Sequence, residues 1–204
     1  MERNSYEWLA PLTGIAFVIL AFVGFAVSGD PVSAKHSGTE IATWYTDHKN
    51  SVQIGAILAG VAASLFLFYA GYLRKVLKAA EGENGALSLM VVAGVAVFAV
   101  GLGLDQALAF AIAERADDID PVGVQALQAF WDNDFLPIAI GLQVFLFATG
   151  ISIVRHGAFP KWMGWLLIVF GITTVTPVFF VGFLGGALFV LISSVMMASR
   201  ARKA

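Results

Sequence analysis

The chain has 204 residues, 59% of them hydrophobic and 13% charged, with a formal net charge of −2 and no cysteine. A soluble domain carries about 25% charged residues, so this composition belongs to a polytopic membrane protein. It excludes disulfides, thiolate metal sites and cysteine nucleophiles, and without a basic run or aromatic-basic patch it excludes a nucleic-acid partner.

A helix needs about 20 mostly apolar residues to cross the hydrocarbon core. In chain order, residues 8–28, 51–73, 87–113 and 135–154 meet that requirement. The first resembles a secretory leader at Ala26-Val27-Ser28. Its apolar run is longer than such a leader needs, and Glu2 and Glu7 accompany Arg3 before it, so it reads as a retained helix. The last apolar block, 162–199, is too long for one span. Thr176-Pro177 offers a break, because proline disfavours helix in the residue before it. Spans at 162–177 and 179–199 follow.

Charge supports the hairpin. With six crossings, Arg3, Arg74, Lys75, Lys78, Arg155, Lys161, Arg200, Arg202 and Lys203 fall on one side, and Lys35, Lys49 and Arg115 on the other. This bias puts both termini in the cytoplasm. The expected architecture is therefore all-α: one membrane domain over 1–204, a six-transmembrane-helix bundle with long outer loops.

Those loops are acidic, and each contains a short helix. Ser37-Gly38-Thr39-Glu40 is a capping box, followed at helical spacing by Ile41, Trp44, Tyr45 and His48. Asp120-Pro121 pairs an N-cap acid with proline at the first helical position, after which Val124, Leu127 and Trp131 share a face. The simpler reading makes both interfacial helices, with their aromatic residues in the headgroup belt. The sharper one makes them a lid over a cavity open to the outside, with Trp44, Tyr45, His48, Trp131 and Asp134 as its candidate residues. On the inner side, Gly82 and Gly157 stand where helix C-caps are wanted.

Catalytic patterns are missing: there is no Gly-x-Ser-x-Gly, His-Glu-x-x-His, phosphate loop or dinucleotide fingerprint. No metal and no cofactor is expected, and no histidine falls inside a span. One acid does. Asp105, followed by Gln106, lies within 87–113, and ionisable groups inside membrane helices are costly and usually functional. Gly94, Gly101 and Asp105 share one stripe, and glycines mark the side where helices approach closely. Asp105 is thus expected to face the bundle and to anchor a polar cluster with Gln106, Gln53 and Gln143.

The stretches WYTDHKNSVQIGAILAGVAA, YAGYLRKVLKAAEG and RHGAFPKWMGWLLIVFG resemble segments of an uncharacterised family of small six-helix integral membrane proteins common in actinobacteria. The resemblance runs from about Leu9 to Ser199. It implies six spans and a plasma-membrane home, and it implies no activity and no site residues. The leading functional expectation is a non-enzymatic membrane protein. It would bind a small apolar ligand or lipid, or serve as an accessory subunit alongside a membrane protein partner or a second copy. The alternative is a secondary or proton-coupled transporter using Asp105.

Overall fold

The computed structural model describes residues 7–83 and 85–203. Arg3, Glu2 and Asn84 lie outside that range. A 3-10 turn (Glu7–Leu12) leads into α1 (Thr13–Ser28), α2 (Gly38–Asp47) and α3 (Lys49–Glu81). Then follow α4 (Ala86–Arg115), α5 (Pro121–Trp131), α6 (Leu136–His156), α7 (Lys161–Thr173) and α8 (Phe179–Lys203). There is no strand among the described residues. Trp8–Ser28, Lys49–Glu81, Ala86–Arg115, Pro121–His156 and Phe179–Arg202 are helical stretches long and apolar enough to cross a membrane. Such a chain is a multi-pass membrane protein, because only helices whose backbone groups bond internally cross lipid in this way.

The spans begin and end close to where hydrophobicity puts them, with two instructive differences. Helix α3 runs to Glu81, two turns beyond the expected boundary at Leu73. Arg74, Lys75 and Lys78 end the apolar run, but Leu77 remains fully buried and the backbone stays helical. A helix that leaves the hydrocarbon need not stop there. Helix α7 does the opposite, ending at Thr173, short of 177. The hydroxyls of Thr173, Thr174 and Thr176 each bond to the carbonyl three residues back. These bonds compete with the helical ladder and tighten 174–178 into the turn that holds Pro177.

Side-chain contacts fix which ends lie together. The Arg202 guanidinium sits 4.0 Å over the Trp8 ring, and Arg200 donates to the carbonyl of Ala158 at 2.9 Å. The two described chain ends and the α6–α7 link therefore share one end of the bundle. Helices α3 and α6 stop there at Gly82 and Gly157, with φ of 79° and 78°. Their amides return to the carbonyls of Lys78 and Ile153; Gly157 takes the left-handed conformation common at helix ends, whereas Gly82, with ψ of −144°, has a positive φ outside it.

The other end carries a cap made of α2 and α5. Both form for the local reasons legible in their sequences. The Ser37 hydroxyl accepts from the Glu40 amide, and the Glu40 carboxylate accepts from the Ser37 amide. The Asp120 carboxylate accepts from the Val122 amide at 2.9 Å. Neither helix floats free. Ile41, Tyr45 and Val124 are fully buried, packed with Ala109, Ile112 and Ala113 of α4 and Val52 of α3.

Beneath the cap the bundle centre is aromatic and buried. Phe17 stacks on Phe66 at 4.2 Å, and Phe98 and Phe145 meet Phe66 edge-on at 5.5 and 5.3 Å. Ring pairs of this geometry contribute about 0.5–1.5 kcal/mol each beyond area burial.

Candidate functional site

The site is set by the seam between α4 and α6, which run antiparallel. A Cβ placed at Gly94 would lie 2.6 Å from the amide nitrogen of Phe145, and one at Gly101 would lie 2.8 Å from that of Ile138. At Gly141 it would collide with the backbone of Phe98. Only hydrogen atoms fit there, so the two backbones close to a distance that small residues alone allow. The contacts Gly94–Phe145, Phe98–Gly141 and Gly101–Ile138 define one register. Another turn along α4 is Asp105, and the residue that the register brings opposite is Asp134.

Asp105 is 9% exposed and faces the bundle, as the glycine stripe requires. Its Oδ2 accepts from Gln106 Nε2 at 2.6 Å. The carboxyl of Asp134, on the turn between α5 and α6, lies within hydrogen-bonding reach of it.

Tyr45 stands at the centre of the cap. It is fully buried, and its hydroxyl donates to Gln128 Oε1 at 2.8 Å. Gln128, also fully buried, passes the chain on by donating from Nε2 to Asp132 Oδ1 at 2.8 Å. Asp132 Oδ2 then accepts from the Ser33 hydroxyl at 3.2 Å and from the Ala34 amide at 2.9 Å. Burial pushes the Tyr45 hydroxyl above its ordinary value, helped by the negative charges of Asp132 and Asp105. Tyr45 thus stays a neutral donor throughout the physiological range.

The remaining expected residues go elsewhere. Gln53 donates to Glu114 Oε2 at 2.7 Å, in a group that includes the Lys49–Glu114 ion pair at 3.1 Å. Glu114 is nine residues beyond Asp105, roughly 13 Å at 1.5 Å per residue. Gln143 is displaced the other way, deeper along α6, where it reaches the Gly171 carbonyl of α7 at 3.4 Å. Of the residues expected beside Asp105, Gln106 is there and Gln53 and Gln143 are not, while Asp134, expected in the outer lid, comes next to it. Trp44 stacks on His48 at 4.4 Å on the rim of the cap and meets Tyr45 edge-on at 5.2 Å. Trp131 packs at the cap's edge, its indole N–H buried without an acceptor.

Two residues of this network, Gln128 and Ser33, carry a faint sequence signal or none. Gln128 stands four residues after Val124 on the buried face of α5, and a polar side chain on an apolar face invites a search for its partner. Ser33 has no such mark. Among the described residues no group of three or more His, Asp or Glu is arranged to hold a metal ion.

Residues 12–200 match the family described as Domain of unknown function (DUF4386). The chain belongs to the DUF4386 family. That match takes in every element from α1 to the last turn of α8, and with them Asp105, Asp134 and the whole cap of this DUF4386 chain. No curated protein and no solved structure matches it.

Proposed function

We propose that the chain is a proton-coupled membrane carrier in which the Asp105–Asp134 pair takes up and releases a proton beneath the α2–α5 cap. The observation that carries this reading is a buried acid on a membrane helix, set against a second carboxyl by a close-packed seam. Ionisable groups in such places mark ion and proton paths. Purified protein on a solid-supported membrane, given a pH jump, is expected to produce a charge displacement that Asp105→Asn abolishes. Equal displacements in both proteins would sink the reading.

The arrangement in the bilayer that accompanies this reading has six crossings. Helix α7 is 13 residues, about 20 Å at 1.5 Å per residue, against a hydrocarbon core of about 30 Å. Its turn completes the crossing, since Phe179 reaches Phe135 at the start of α6 with ring centroids 6.0 Å apart. The basic residues lie mainly at the uncapped end, so the positive-inside rule puts both termini in the cytoplasm and the cap outside the plasma membrane. Single cysteines at Lys35 or Asp118 are then labelled in intact cells by an impermeant reagent, and one at His156 is not. Labelling at 156 reverses the orientation.

A second reading, an accessory subunit or self-associating binder, draws on the outward faces of α3 and α4. Gly60 and Gly71 of α3 and Gly103 of α4 are exposed with nothing within 4 Å of a Cβ, whereas Gly55, Gly94 and Gly101 of the same helices lie against a neighbour. Loss of a detergent-stable complex in Gly103→Leu, with unchanged Tm, supports it. A monomer before and after the substitution does not.

A further inference from the structure

The uncapped half of the bundle contains polar groups of another kind. Tyr69, Ser88, Thr149, Ser152, Ser193 and Ser194 are all fully buried. Their levels agree. Gly186 of α8 lies beside Leu142 and Leu146 of α6, and Phe189 meets Phe145 at 6.3 Å. These helices run in the same direction, so two turns further on Ser193 and Ser194 stand level with Thr149 and Ser152. Tyr69 of α3 joins the layer through its hydroxyl, 2.6 Å from Ser193 Oγ. Glu81 closes it toward the uncapped end, accepting from the Ser152 hydroxyl at 2.5 Å and the Ser88 amide at 3.1 Å.

Most of these hydroxyls are satisfied inside the protein. Ser193 returns its hydroxyl to the Phe189 carbonyl at 2.6 Å, the usual escape for a serine in a membrane helix. Thr149 and Ser194 do not, and their oxygens have no hydrogen-bond partner among the described residues. Ser194 Oγ points instead into the seam over Gly14. Nothing in a bilayer interior satisfies a polar atom except protein or water, and buried polar atoms are almost always satisfied.

We infer that this layer is a hydration site: Thr149 and Ser194 bind water that enters from the uncapped end past Glu81. The ligand class is water or another small hydrogen-bonding solute. The layer stands on the far side of the aromatic centre from Asp105, so the inference holds whether or not that acid carries protons.

The natural chain has no cysteine, which makes the test clean. A thiol reacts as its thiolate, and a dry buried thiol is inert. Single cysteines at Thr149 and Ser194, in protein held in lipid nanodiscs, are expected to be oxidised by hydrogen peroxide, a polar probe close to water in size, at least about tenfold faster than one at Val95 in the apolar core. Rates at both positions no faster than at Val95 overturn the proposal. Ser194→Cys changes a single atom and keeps the test valid if Thr149→Cys fails to fold. The sign of a second measurement is equally decisive. Thr149→Val lowers Tm if the hydroxyl holds water. A raised Tm, the result of deleting an unbonded hydroxyl, overturns it.

Discussion

At the capped end, polar side chains reach across long sequence distances, with Asp132 holding Ser33 and Ala34, and Tyr45 holding Gln128. At the uncapped end the links are short, glycines terminate the helices, and hydroxyls lie inside the bundle with Glu81 across their entrance. The difference follows from the connections. Long links can fold into helices of their own and bring carboxylates over the bundle, and short links cannot. The acid pair is therefore a product of tertiary register, and the hydroxyl layer a product of helix composition.

The substitution expected to do most damage attacks that register directly. Gly94→Leu forces α4 from α6 and is expected to destabilise the protein by about 3 kcal/mol, with a large drop in Tm. Gly60→Leu, where a Cβ meets nothing, leaves Tm unchanged. Equal effects of the two would remove the seam as the determinant of the site. Next comes the acid itself. Asp105→Leu leaves Gln106 and Asp134 without their partner, at a cost of about 1–3 kcal/mol, whereas Asp105→Asn retains hydrogen bonding and loses less. Wild-type thermal stability in Asp105→Leu would mean that the carboxyl pair contributes nothing to the fold.

The link from Asp132 to Ser33 and Ala34 is weaker than the seam. Asp132→Ala releases the Ser33 hydroxyl and the Ala34 amide, leaves the buried Gln128 Nε2 without its acceptor, and costs about 1–3 kcal/mol. Hydrogen exchange should quicken at residues 33–36 and stay unchanged at 149–153, and equal acceleration at both ends would deny the cap its independence. The smallest effect is confined to the first turn of α2. Bonds from the Ser37 backbone and hydroxyl hold the Glu40 carboxyl below its ordinary value of 4.5. A group whose folded value is depressed stabilises the fold above its unfolded value and loses that contribution as pH falls. Amide protection at Glu40 and Ile41, corrected for intrinsic exchange, should therefore decline below pH 4.5 and recover on titrating back. Ser37→Ala keeps the amide bond to Glu40 and loses only the hydroxyl's, and should weaken the dependence without abolishing it.

Much of this fold was legible in the residues. Hydrophobic runs located the long helices, Ser37 with Glu40 and Asp120 with Pro121 located the cap helices, and the stripe of Gly94, Gly101 and Asp105 indicated which way the acid faces. The acid's partner was not legible by the same means. Asp105 and Asp134 are both conspicuous, one as an acid in a span and the other as a loop carboxylate. Their meeting depends on how far α4 slides along α6, which steric fit at Gly94 and Gly141 decides. Gln53 and Gln143 failed as partners for the same reason, since depth estimated from span length ignores the offset between helices. The early end of α7 was hidden in three threonines whose hydroxyls outcompete the helical ladder.

The α4–α6 seam also has a consequence for biogenesis. Synthesis runs from the N-terminus, and helices tend to fold in the order they emerge. Helix α4 is complete at Arg115, but the residues that cover its glycine stripe begin only after α5, at Leu136. During that interval Asp105 enters the membrane without Asp134 or the backbone that shields it. Insertion of α4 is thus the step at which the nascent chain must tolerate a bare acid in lipid or wait for its partner at the translocon.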